Sequence, residues 1–373
     1  MNNNRKKMRR RRPRFTKRFL VLVFTVVAGI FAYFVIGALA LGENGENGGE
    51  DDPPYLPHID IGLLRMDFDD AALTYIFYYE NAELDMARHH IIDNDNLVNF
   101  VTHNPVQGSM SVFTDAPAIF LTEYGYYTRN VYITAINPRH VYDRILILDP
   151  GHGGADEGAT VGGIRESDIT LAVSLYLYEL FLNSGSGIKV YMTRTDDSFV
   201  HNTQRAHTAN TVGDMLLSVH TNAYPQSAFV AGTETLFNDY SPMYHDGNLG
   251  RFDLQNSTFS QIIQNHLVAE LDTRDRGLVE RRDLLLLNVS SVPTAYVEID
   301  FKTNPQALEN LADSQYQQRI AGALYRGIID AFEEAERGAG QTQGNLNTFY
   351  TPHGAILTVY HKYAPLAKPI ILL

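Results

Sequence analysis

Between residues 144 and 336 the chain alternates short apolar runs with longer stretches of helical periodicity, and no other feature narrows its fold so far. "RILILD" (144–149) is followed by "SDITLAVSLYLYELFL" (167–182), "IKVYMTR" (188–194), "NTQRAHTANT" (202–211) and "DMLLSVH" (214–220). Strands separated by helices pair most readily in parallel, so this rhythm predicts an α/β domain over 144–337 with a largely parallel central sheet. Further strands are expected at "GTETLF" (232–237), "LLLL" (284–287) and "AYVEID" (295–300), with a closing helix over 316–336. Ser167 reads as the N-cap of the first helix, whose Leu171, Val173, Leu175, Leu177, Leu180 and Phe181 would pack it on the sheet.

Open α/β sheets carry their chemistry at the carboxyl ends of the strands. His152 stands there, within "DPGHGG" (149–154), and His220 closes "LLSVH" (216–220). A histidine among glycines at a strand end serves either as a hydrogen-bonded turn residue or as a metal ligand. Glu166 precedes a helix in a glycine-containing loop, and Glu298 lies within the apolar "TAYVEID" (294–300), where an unpaired carboxylate is costly to bury. Two imidazoles and one carboxylate around zinc, with a second carboxylate as general base, form a hydrolytic site. The chain supplies those four groups, and on the residues alone both readings of the histidines stay open. His201 and His207 lie in or near a helix bearing Arg205, and they and the adjacent His89 and His90 are read as structural or surface residues. Glu234, Arg276, Arg281 and Arg282 are read either as substrate contacts or as solvated or salt-bridged residues.

The segment 145–335 resembles the zinc-dependent N-acetylmuramoyl-L-alanine amidases of the amidase-3 family. The resemblance rests on "ILILDPGHGGADEGATVGGIRESDITLAV", "IKVYMTRTDDSFVHNTQRAHTAN", "LLSVHTNA", "GTETLF", "RGLVERRDLLLLN" and "VPTAYVEIDFKTNP", in the family's order and at about its spacing. It implies one zinc per chain held by His152, Glu166 and His220, with Glu298 as the catalytic glutamate and Asn222 as a candidate substrate contact. It also implies a six-stranded sheet flanked by helices, and cleavage of the amide joining N-acetylmuramic acid to L-alanine in peptidoglycan. Two rival readings stay beside it: another zinc amide hydrolase of wall peptides, such as a carboxypeptidase, and a peptidoglycan-binding module without catalysis. The chain departs from the family where Asp300 replaces a usual glycine and Thr221 a common alanine. Alternation along a strand would put Asp300 on the face of Glu298, making it a candidate modifier that raises the glutamate's pKa. The stretch 238–255 is read as a substrate-facing loop, too short for the self-inhibitory helix of some regulated relatives.

The rest of the chain bears on location. Residues 1–18 hold ten of the thirty basic residues and none of the forty-three acidic ones, so residues 19–373 carry a formal charge of about −23. An acidic body argues against nucleic acid as a partner. The uncharged segment 19–41 would span roughly 35 Å as a helix, enough for a bilayer. With basic residues only before it, the arm 1–18 is expected in the cytoplasm and the remainder outside. The alternative is a secreted protein cleaved near Ala40, within the small-x-small triplet of residues 38–40; the length of the apolar segment favours a retained anchor. No cysteine is present, which excludes disulfides, thiolate metal sites and a lipid-modified cysteine. Residues 42–57 read as a flexible spacer. Residues 58–143 read as a small α+β accessory region, helical over 71–91 and stranded over 111–136. The tail 338–373 begins as a linker and is expected to pack a strand back on that region.

Overall fold

The computed structural model describes residues 63–79, 89–104, 106–125, 130–241, 251–338 and 355–359. The arm, the expected membrane segment 19–41 and the spacer lie outside the described residues. Among the described residues no helix is long and apolar enough to cross a membrane.

The chain opens with seven strands: β1 (Leu63–Asp69), β2 (Thr74–Tyr79), β3 (His89–Asp93), β4 (Val98–Asn104), β5 (Ser109–Thr114), β6 (Ile119–Gly125) and β7 (Asn130–Ile136). They form two sheets, one ordered β1-β2-β5-β4 and fully antiparallel, the other built on β6-β7-β3. The helix expected over 71–91 is not formed at either end. "TYIFYY" is strand β2 and "HHIID" is strand β3, while residues 80–88 lie outside the described residues. Aromatic and β-branched side chains fit a pleated, half-buried surface better than a helix, and here that preference prevails. The accessory region is therefore β rather than α+β among the described residues, apart from one 3-10 turn at Pro138–His140. His89 and His90 stay away from the chemistry, with the His90 ring stacked on Tyr132.

The second part runs β8 (Arg144–Pro150), β9 (Thr160–Val161), β10 (Ile164–Arg165), α1 (Glu166–Ser184), β11 (Ile188–Met192), α2 (Asn202–Val212), β12 (Met215–Asn222) and β13 (Thr233–Phe237). It continues through α3 (Asn256–Leu271), β14 (Asp275–Glu280), α4 (Leu285–Val289), β15 (Thr294–Phe301), α5 (Pro305–Ala312) and α6 (Ser314–Gly338). Six strands make the central sheet in the order β11-β8-β12-β15-β13-β14. The first four are parallel, and β13 runs antiparallel to β15 with β14 parallel to β13, so the sheet is mixed. Strand β16 (Ala355–Val359) returns from the tail and pairs antiparallel with β6, as expected.

Both faces of the sheet are covered, which is why its strands read as continuous apolar runs. On one face Leu146, Leu217 and Val297 pack against α1, α3 and α6 through Val173, Ile263 and Leu324. On the other, Ile145, Ile147 and Leu216 meet Ala209 of α2, Leu286 of α4 and the accessory residues Phe120 and Ile133. The accessory sheets thus share a core with the α/β domain.

Two local expectations fail. Arg165, not Ser167, is the N-cap of α1, and Ser167 is buried in the first turn. "LLLL" (284–287) starts the short helix α4 instead of a strand, an ambiguity inherent in brief apolar runs. The ends of the 238–255 stretch run into the interior, with Asn238, Phe252 and Leu254 buried, and residues 242–250 lie outside the described residues.

Arg251 fastens this stretch. Its Nε and Nη2 donate to the fully buried Asp214 at 2.9 and 2.6 Å, and its Nη1 donates to the carbonyl of Tyr142 at 2.6 Å. Asp214 also accepts the N–H of Ile145 at the start of β8. Removing the guanidinium would strip the buried carboxylate of two charge-assisted hydrogen bonds and leave Arg139 as its neighbouring cation. Arg251→Met is therefore expected to cost roughly 3–5 kcal/mol in a denaturant titration; an unchanged midpoint would contradict this role.

Candidate metal centre

Strand β8 ends at Pro150, and the chain then turns through Gly151 and His152, whose φ of 60° lies in the left-handed region. A non-glycine residue holds that conformation at a cost, so the surroundings must enforce it. Two buried arginines do so. Arg205 of α2 donates through Nη1 to Asp149 Oδ1 (2.6 Å) and the Pro150 carbonyl (2.7 Å), and through Nη2 to the His152 carbonyl (2.7 Å). Arg194, just beyond β11, donates through Nε to the Pro150 carbonyl (3.0 Å) and through Nη2 to the carbonyls of Gly151 (2.8 Å) and Ser167 (2.9 Å). Burial pushes the Asp149 carboxyl up, but Arg205 and the hydroxyls of Ser218 and Thr193 together hold it below its ordinary value.

The turn aims His152 at Glu166. His152 Nε2 lies 3.2 Å from Glu166 Oε1, while its Nδ1 lies 2.9 Å from Asp156 Oδ2. A carboxylate on the far ring nitrogen is the usual device for fixing a ligating imidazole. Glu166 is the first residue of α1, with its Oε2 accepting the N–H of Ala159 (3.0 Å) and its Oε1 that of Thr221 (3.1 Å). His220 Nδ1 approaches the same Oε1 at 3.0 Å, and the His220 ring stacks on Tyr296 at 4.0 Å between centroids. One ligand atom from each of His152, Glu166 and His220 falls within 4.8 Å of the others, and this is the one such cluster found among the described residues. Two imidazoles and a buried carboxylate converging on one point are the donor set a divalent transition metal takes. Burial works against the Glu166 charge, yet hydrogen bonding to the two imidazoles holds its carboxyl well below the usual range.

Sheet register brings the remaining carboxylates alongside. His220 pairs with Glu298 on β15, and Glu298 with Glu234 on β13. Glu298 Oε2 is buried without a hydrogen-bond partner. Burial pushes its pKa well up, aided by the charges of Glu166 and Glu234 and opposed by Arg281 and Lys302. Asp300 turns its Oδ1 to the N–H groups of Gly232 and Phe301, both at 2.7 Å, so the like charges acting on Glu298 are those of Glu166 and Glu234. Asn222 donates to Glu234 Oε1 at 2.9 Å, and Arg276 to Glu234 Oε2 at 2.9 Å, so the reading of Glu234 and Arg276 as salt-bridged holds. A cleft of about 80 Å3 opens beside the cluster, lined by His152, His220 and Tyr296 on one side and Leu284 to Leu286 on the other.

His201 caps α2 by accepting the Thr203 N–H, in line with a structural role. Sequence reasoning missed Asp149, Asp156, Arg194 and Arg205. Their only signal was their position, two acids flanking His152 and two arginines in segments that end beside it. Gly151 is required by close approach, since a Cβ there would collide with the His220 ring. Gly151→Ala is expected to destabilise by roughly 1–3 kcal/mol through overpacking and to lower metal content below that of the wild type. Elemental analysis beside thermal melting checks this, and full metal content would contradict it.

Residues 146–330 match the family model Amidase_3, described as N-acetylmuramoyl-L-alanine amidase. The chain is 33% identical over 193 residues to the uncharacterized protein YqiI of Bacillus subtilis, covering 51% of this chain and 86% of that one. It is 31% identical over 211 residues to the N-acetylmuramoyl-L-alanine amidase CwlM of Bacillus licheniformis, covering 56% and 77%. Among solved structures, an N-acetylmuramoyl-L-alanine amidase from Clostridium difficile 630 is 27% identical over 51% of this chain and 97% of that one, with a TM-score of 0.46. By the family model and the relative CwlM, of whose length it covers 77%, this chain belongs to the N-acetylmuramoyl-L-alanine amidase family.

Proposed function

We propose that this protein hydrolyses the amide between the lactyl group of N-acetylmuramic acid and L-alanine in peptidoglycan, using one zinc ion held by His152, Glu166 and His220. The observation that carries the reading is the convergence of those three ligand atoms beside Glu298. A zinc ion held there supplies Lewis acidity, which polarises a carbonyl and acidifies water.

The chain's own groups do the rest. Glu298 takes a proton from the attacking water and delivers it to the departing L-alanine nitrogen, the shuttle expected of a general base that becomes a general acid. Its buried, unpartnered Oε2 and upward-shifted pKa suit a carboxylate that must accept and then release a proton. Asp156 keeps Nδ1 of His152 engaged, so that Nε2 faces the cluster. Glu234, fixed by Asn222 and Arg276, stands beside Glu298 on the neighbouring strand β13.

The same reading places the α/β domain outside the cytoplasmic membrane, tethered by residues 19–41 with the arm 1–18 inside; cleavage near Ala40 would instead release it. Such a tether would confine the domain near the wall and raise its local concentration there.

The test is digestion of peptidoglycan by the full chain in mild detergent, followed by end-group analysis. New L-alanine amino termini with intact muramyl lactyl groups are expected. Release of a D-amino acid would point to a carboxypeptidase, and no release to a binding module. Glu298→Gln is expected to retain zinc and lose turnover by roughly 100-fold or more; loss of zinc in that variant would make Glu298 a ligand.

A further inference from the structure

Lys302 directly follows β15, and its side chain is fully buried. An ammonium withdrawn from water is costly unless its position serves the structure around it. Its hydrogen bonds join the end of β12 to the loop that precedes α1. The backbone N–H of Lys302 donates to the carbonyl of Asn222 at 2.8 Å, two residues past His220 at the end of β12. Its Nζ donates to the carbonyl of Ala159. That same carbonyl accepts the N–H of Glu166 at 3.1 Å, and the N–H of Ala159 donates to Glu166 Oε2 at 3.0 Å. Four residues upstream on the same strand stands Glu298.

We propose that Lys302 is a positioning residue for the metal centre, resting on the zinc reading above: its Nζ locks Ala159, and Ala159 in turn holds the carboxylate of Glu166 between the two histidines. Full burial keeps the ammonium from substrate, so it acts through Glu166 and not on the reacting atoms. Its charge also sits where the carboxylates of Glu166 and Glu298 approach each other. Burial drives its pKa down, and the charges of Glu166, Asp168 and Glu298 push it back up. An apolar side chain of equal length would fill the same space without the burial cost, so stability and metal affinity should part company at this position.

The test compares the full chain in detergent with Lys302→Met, which removes donor and charge, and Lys302→Gln, which keeps a donor alone. Zinc dissociation constants are measured by competition with a chelator, and melting temperatures on the metal-free proteins. Loss of a partner behind a ligand typically weakens metal binding by about 10- to 100-fold. A loss in that range for Lys302→Met is expected with an unchanged or raised melting temperature, and a smaller loss for Lys302→Gln. Should Lys302→Met not fold, the affinity of Lys302→Gln decides by itself, a loss supporting the proposal and wild-type affinity overturning it. Unchanged affinity in both variants would overturn the proposal, as would an affinity loss matched by a lowered metal-free melting temperature. A wild type that takes up no zinc would overturn the metal reading and this inference together.

Discussion

The site depends on one buried electrostatic arrangement, the grip of Arg194 and Arg205 on the backbone after β8. Between them they donate to the carbonyls of Pro150, Gly151 and His152, and Arg205 also neutralises the buried Asp149. The Pro150 carbonyl closes β8, and those of Gly151 and His152 belong to the turn that leaves the sheet, where backbone acceptors need partners from outside the ladder; the Thr170 hydroxyl joins Arg194 on the Gly151 carbonyl at 2.8 Å. The left-handed conformation of His152 is sustained by the same contacts. Function here rests on a locally unfavourable backbone that surrounding hydrogen bonds over-determine.

A second constraint is register. His220, Glu298 and Glu234 fall side by side because β12, β15 and β13 pair at those residues. A one-residue slip would turn each inward group to the opposite face. The accessory sheets bear on this, since Phe120 and Ile133 pack against Ile145, Ile147 and Leu216, on the sheet face that also carries His220 and Glu298. The early strands thus brace the floor of the site, and β16 extends their sheet along β6.

Much of this was legible in the chain itself. The alternation of apolar runs and helical segments gave the α/β domain, and strand ends gave His152 and His220. The four chemically apt groups were visible because a lone carboxylate in "TAYVEID" and a histidine in "DPGHGG" break the local composition. What stayed hidden was pairwise and non-local. Nothing in "IKVYMTR" says that Arg194 reaches carbonyls 43 and 44 residues earlier, and nothing in "DFKTNP" says that Lys302 is buried on Ala159. The helix expected over 71–91 failed for a different reason: periodicity suggested a helix, but the aromatic run at Thr74–Tyr79 found a sheet to join. Asp300 was misplaced by strict alternation, since the register shifts between His220 and Asn222 where it lies, and its carboxylate closes on backbone N–H groups.

The proposed chemistry requires one metal held by His152, Glu166 and His220. X-ray absorption at the zinc edge on the loaded full chain tests it most directly. One zinc per chain is expected, with two imidazole nitrogens and oxygen ligands in its shell and one imidazole contribution lost in His220→Ala. A shell without two imidazoles, or one unchanged by that substitution, would contradict it.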